Sequence, residues 1–76
     1  MKVIKKVHYK REEYSKGQFK YYFEISAKDF REFKEKYVMY DKVIYTFIEK
    51  DTMNSQIVFK SDNFVGTDYL YFKFNG

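Results

Sequence analysis

Residues 26–38 read SAKDFREFKEKYV, and the class of the fold turns on whether this stretch is a helix. Ser26 stands where an N-cap would, with Asp29 three residues on, a shorter relative of the Ser/Thr-x-x-Glu capping box. Behind it Phe30, Phe33 and Tyr37 recur at helical spacing, which collects them on one face. Lys28–Glu32, Arg31–Glu35 and Glu32–Lys36 are i,i+4 pairs of opposite charge for the outer surface. The pattern predicts a helix from about Ala27 to Tyr37 or Val38.

Everything around it reads as strand. Residues 2–10, KVIKKVHYK, are rich in β-branched and aromatic residues, and REEYSKGQ reads as a turn around Gly17. QFKYYFEI alternates cleanly, with Phe19, Tyr21, Phe23 and Ile25 on one side and Lys20, Tyr22 and Glu24 on the other. These two strands predict a hairpin. Beyond the helix, KVIYTFIE places Ile44, Thr46 and Ile48 on one face, and SQIVFK does the same with Ile57 and Phe59. In the closing TDYLYFKFNG, Leu70, Phe72 and Phe74 oppose Tyr69, Tyr71 and Lys73, while Phe64 in the preceding connection is expected to fold back onto the core. The expected architecture is a single α+β domain over residues 1–76 in the order ββαβββ, an antiparallel sheet with one helix packed on one face. Ile44, Ile48, Ile57, Phe59, Leu70, Phe72 and Phe74 would lie under the helix. The other face, with Tyr45, Phe47, Val58, Tyr69, Tyr71 and Lys73, is too apolar for ordinary solvated surface. Either the sheet curls strongly and makes a second core of it, or it is a recognition surface.

A chain of 76 residues buries only about 60% of its unfolded surface, so its stability margin is thin. With no Cys and one His it has neither disulfides nor a Cys/His zinc site to staple it. Nine Phe and nine Tyr supply apolar bulk instead, while single Leu and Ala residues argue against a helical bundle. No apolar run is long enough for a membrane span, and MKVIKKVHYKREE lacks the apolar core of an export signal, so a cytoplasmic setting is expected.

The formal net charge of +4 is unevenly spread. Residues 1–20 carry seven bases and two acids, whereas the rest of the chain carries eight bases and nine acids. The positive field therefore belongs to the first hairpin, through Lys5, Lys6, Lys10, Arg11, Lys16 and Lys20. Thirteen of the fifteen bases are Lys, which lacks the bidentate fork of Arg and disfavours sequence-specific DNA recognition. Lysines on an edge strand also guard against strand-to-strand aggregation.

No catalytic or cofactor motif occurs. His8 is the only side chain with an ordinary pKa near neutrality, and it sits among Lys5, Lys6 and Lys10. Asp29, Glu32 and Glu35 read as solvated helix surface, and EKDTMNSQ lacks the spacing and glycine of a calcium loop. The expectation is a protein that is not an enzyme and uses no cofactor and no metal. High Lys over Arg, abundant Phe and Tyr, and one small domain give it the look of the accessory proteins of AT-rich phages and mobile elements. That resemblance implies stoichiometric docking on a host or defence protein, as an inhibitor or modulator. The leading expectation is thus a binding protein for a protein or ribonucleoprotein with an acidic surface. The basic hairpin would steer, and Tyr22, Tyr69 and Tyr71 would anchor beside Lys73. Direct binding of single-stranded or shape-defined nucleic acid is the alternative. A self-associating homodimer would carry the same surface.

Overall fold

The computed structural model describes residues 2–3, 9–26 and 37–74. Among these, seven strands form one mixed sheet: β1 (Lys2–Val3), β2 (Tyr9–Ser15), β3 (Gln18–Ile25), β4 (Tyr37–Tyr40), β5 (Val43–Asp51), β6 (Gln56–Asp62) and β7 (Thr67–Phe74). The spatial order is β1-β4-β5-β6-β7-β3-β2. Strands β4 to β7 form an antiparallel meander, β3 joins β7 in parallel, β2 closes the edge antiparallel to β3, and β1 pairs with β4 in parallel.

The α+β expectation is therefore corrected: the described residues are all-β, with no helix, and the sheet is mixed rather than antiparallel. Residues 27–36 of the expected helix lie outside the described residues. Its expected last turn, Tyr37 and Val38, instead begins β4. The reason is local. Tyr37–Tyr40 is an aromatic and β-branched run closed by Asp41 and Lys42, whose φ angles of 53° and 64° make a two-residue primed turn. Such a turn matches the twist of a hairpin, and β4 pairs back on β5 with Tyr40 opposite Val43.

Two further boundaries move. The expected turn REEYSKGQ is mostly strand: β2 runs to Ser15, and only Lys16 and Gly17 turn, with Gly17 at φ 76°. Lys2–Val3 does not pair with β3 but lies at the opposite edge of the sheet.

The sheet curls. Neighbouring strands lie about 4.8 Å apart, so β4 and β3, four intervals apart in the order, would be roughly 19 Å apart if flat. Yet the Tyr40 ring lies 5.2 Å from Phe23, 5.5 Å from Tyr21 and 5.8 Å from Tyr9. The two sides of the sheet fold over one interior. Phe23, Ile25, Val38, Tyr45, Ile57, Phe59, Leu70 and Phe72 fill it, with Phe72 stacked on Phe23 at 5.0 Å. Each contributes roughly 1.5–3 kcal/mol by leaving water.

Strand β5 presents the opposite face from the one expected. Tyr45 is buried in the interior opposite Val38, and Phe47 shares its strand face at the exposed margin, edge-on to Phe59, while Ile44 lies on the other face and is exposed. Ile48 falls at a bulge between Phe47 and Glu49 and is exposed as well. Because β5 is apolar on both faces, its alternation alone does not choose between them; the register of the β4 hairpin does.

Candidate functional site: the outer tyrosine face

With the interior assigned, period-two alternation fixes the outer face. On the three neighbouring strands β2, β3 and β7 it carries Lys10, Glu12 and Tyr14, then Lys20, Tyr22 and Glu24, then Tyr69, Tyr71 and Lys73. The tyrosines make one strip. Tyr22 stacks on Tyr71 at 5.0 Å and 15°, as their direct opposition in the parallel ladder requires. Tyr69 lies 6.1 Å from Tyr71 and 5.9 Å from Tyr14. Lys20 places Nζ 5.1 Å from the centroid of Tyr14, within cation–π range. The hydroxyl of Tyr14 donates to the carbonyl of Thr67, tying the edge strand to β7.

Charges of both signs frame the strip. Glu12 lies opposite Lys20, and Glu24 lies beside Lys73. Lys60 stands beside Tyr69. Three of these phenols, Tyr14, Tyr22 and Tyr71, are held neutral. Burial is the main reason that Tyr22, Tyr71 and Tyr14 titrate above the ordinary tyrosine value. Glu12 adds to the effect at Tyr22, Tyr22 and Tyr69 at Tyr71, and Tyr69 and Asp68 at Tyr14. Their hydroxyls are therefore hydrogen-bonding groups, not bases, at neutral pH. Val58 lies on this outer face, opposite Tyr71, and is buried without belonging to the interior cluster.

Of the residues expected at a site, Lys10, Lys20, Tyr22, Tyr69, Tyr71 and Lys73 come together on this face. Arg11 does not. It alternates inward opposite Tyr21, and its guanidinium sits 4.7 Å over the Phe19 ring. Lys16 is exposed in the β2–β3 turn. Lys5, Lys6 and His8 lie outside the described residues, as do Asp29, Glu32 and Glu35. Tyr45 and Phe47, expected beside Tyr69 and Tyr71, belong to the interior strand face instead. Tyr14 is the residue the sequence reading missed, because its segment read as a turn; its even spacing from Lys10 and Glu12 was the available signal.

The remaining polar groups have structural work. Asp68 is a buried carboxylate on the inner face whose Oδ1 accepts the N–H of Phe19 at 2.8 Å. Asp51 organises the β5–β6 turn, accepting the N–H groups of Met53 and Asn54 at 3.1 and 3.2 Å and the Asn54 side-chain amide at 2.7 Å. Hydrogen bonds from Asn54 hold its carboxyl below the usual carboxylate range. Among the described residues, no group of three or more His, Cys, Asp or Glu side chains could hold a metal ion, and no helix is long and apolar enough to cross a membrane. Comparison with known proteins adds nothing further: no family model matches the chain, and no curated protein or solved structure matches it.

Proposed function

We propose that the chain is a non-catalytic docking protein that binds another protein through its outer tyrosine face. It would act by stoichiometric occupancy, in the manner of a small phage-type inhibitor or modulator. The observation that carries this reading is the continuous strip of Tyr14, Tyr22, Tyr71 and Tyr69 across three adjacent strands. Tyrosine is enriched at the energetic centres of protein interfaces because it joins large apolar area to a polar tip. The rings here already brace one another, so little side-chain freedom remains to be lost on binding.

The glutamates favour a protein over a nucleic acid. Glu12 and Glu24 stand beside Lys20 and Lys73 in the ladder and offset the charge that phosphates would need. A protein surface with its own mixed charges fits this better, with Lys10, Lys20 and Lys73 meeting its acidic groups.

The test compares immobilised wild type with Tyr22→Ala/Tyr71→Ala for capture from lysate. In parallel, fluorescence anisotropy measures binding to single-stranded DNA and RNA at about 50 and 200 mM salt. A protein retained by the wild type and lost by the variant supports the reading. Tight oligonucleotide binding that collapses across that salt range would replace it with nucleic-acid recognition on the same strip.

A further inference from the structure

Phe64, expected to fold back onto the core, is instead fully exposed in the β6–β7 connection, a lone ring. The edge strand β2 presents a whole ladder. Its neighbour on one side is β3, and on the other side it ends the sheet. All seven of its residues, Tyr9–Ser15, are exposed. Every second residue of such a strand turns its backbone N–H and C=O away from the sheet, as a template for another strand. Among the described residues no backbone outside β3 bonds to β2. Lys2–Val3, at the other end of the sheet, is two residues long.

The centre of β2 reads Lys10, Arg11, Glu12, Glu13, two bases followed by two acids. An edge guarded by one sign of charge repels a second copy in every register. This order repels a parallel copy and accepts an antiparallel one. A two-fold axis at Glu12, the middle residue, sets Arg11 opposite Glu13 twice and Lys10 opposite Tyr14 twice. Glu12 then meets its own copy, but each Glu12 has Lys20 opposite it on β3, so the two acids lie between two bases in one cross-strand row. The three central pairs lie clear of the bulge between Glu13 and Ser15. Arg11 lies over the Phe19 ring and Glu13 accepts the Gly17 N–H at 3.0 Å, neither in an ion pair among the described residues. Of the nearby charges, Asp68 is taken by the Phe19 N–H, Asp41 lies in the β4–β5 turn, and Lys16 lies beyond the last pair.

We infer that the chain pairs with a second copy of itself along β2, antiparallel about a two-fold axis at Glu12, making one sheet across both copies. The contact uses the strand edge and leaves the outer tyrosine face open, so it does not depend on the docking partner proposed above. It is isologous and occupies the β2 edge of both copies, so association stops at the dimer.

Sedimentation velocity from about 10 µM to 1 mM, the range where so small a contact is populated, tests it. Salt at about 0.15 M screens the net charge of +4 beyond about 8 Å. The weight-average mass should climb from 9.4 kDa towards twice that value and level there. Arg11→Glu and Glu13→Arg each turn two opposite-charge pairs into like ones, and each should weaken pairing by about tenfold. Both side chains are exposed, and circular dichroism checks the fold. Mixed one to one, the two variants restore opposite charges at both pairs, and the mixture should dimerise as the wild type does. The chain has no Cys, so Glu12→Cys carries a single thiol. Residues opposite each other in an antiparallel pair lie about 4.5–5.5 Å apart at Cα, within disulfide reach. Mild oxidation should therefore link Glu12→Cys into a covalent dimer well ahead of Lys60→Cys on β6. A constant monomer mass across the range overturns the inference. So does growth past the dimer, a mixture no better than either variant alone, or equal cross-linking at both positions.

Discussion

The claim that the sheet curls onto itself can be measured by asking whether Phe23 and Tyr40 feel each other. They sit on β3 and β4, with three strands between them in the sheet, and their rings are 5.2 Å apart at 84°. An edge-to-face aromatic pair is worth about 0.5–1.5 kcal/mol beyond its buried area. Phe23→Leu and Tyr40→Leu keep most of the apolar bulk and remove that geometry. Each single change should cost about 1–3 kcal/mol, since Phe23 also touches Tyr9 and Phe72, and Tyr40 also touches Tyr9 and Tyr21. The double change should cost less than the two single changes combined, by about 0.5–1.5 kcal/mol.

A domain of 76 residues has a total stability of roughly 4–11 kcal/mol, above the loss from either single change, and the double variant is read out where the wild type exceeds its combined loss of up to about 5.5 kcal/mol. Urea unfolding followed by far-ultraviolet circular dichroism is the assay. With a slope of about 1 kcal/mol/M for a chain this short, a coupling of 1 kcal/mol displaces the midpoint by about 1 M. A control cycle pairs Phe23→Leu with Met53→Ala, an exposed turn residue, and should be additive. Additivity of Phe23 and Tyr40 within about 0.3 kcal/mol would refute the curl, because residues held a flat sheet's distance apart do not couple.

Asp68→Ala should cost about 1–3 kcal/mol, because it strands the Phe19 N–H in a part-buried site; a loss under half of that in urea unfolding would mean water replaces the carboxylate. Gly17→Ala should cost about 1 kcal/mol or more, since φ of 76° strains any Cβ and Val65 must shift to admit it; an unchanged thermal midpoint would count against the braced turn pair. Alkaline pH should unfold the protein. Burial first, then Asp68, Tyr21 and Asp41, raises the Tyr45 phenol, and burial with Tyr9 raises Tyr40. A group whose folded pKa lies above its unfolded value supplies stability that is complete below about pH 10 and is lost as the pH rises above it. Absorbance at the phenolate band should show some tyrosines titrating only with loss of circular dichroism, and Tyr45→Phe should move that step to higher pH. Smooth ionisation of all nine with the fold retained would refute the assignment.

How much of this was legible in the sequence depends on whether each strand had one polar face. Strands β3, β6 and β7 were legible, because Lys20, Tyr22 and Glu24, or Tyr69, Tyr71 and Lys73, contrast with their apolar neighbours. Strand β5 has no such contrast around Ile44 and Tyr45, so its inner face is set by a partner strand whose first residues, Tyr37 and Val38, read as the end of a helix. That partner was hidden because Asp41–Lys42 turns without a glycine, and aromatic residues at 30, 33 and 37 fit a helical period as well. Alternation also decides the candidate face. It separates Arg11 from Lys10 and Lys20, a distinction that a count of charges along the first hairpin does not make.

Curvature gives the outer tyrosines a second duty, and separating it from docking is the sharper question. When a sheet closes over its interior, side chains on the convex side splay, and only long ones still cover the backbone between strands. The outer positions of β2, β3 and β7 hold Tyr, Lys and Glu, and Val58 is buried beneath the strip on the neighbouring β6. Tyr22→Ala/Tyr71→Ala therefore removes a contact surface and a cover at once. Val58→Thr places a hydroxyl under the strip while leaving the rings in position, and should cost about 1 kcal/mol of stability. If the rings hold the partner, Val58→Thr keeps its affinity, while the double alanine loses it by far more than its stability loss accounts for. If binding falls in step with stability across both variants, the strip is a cover and the docking surface lies elsewhere.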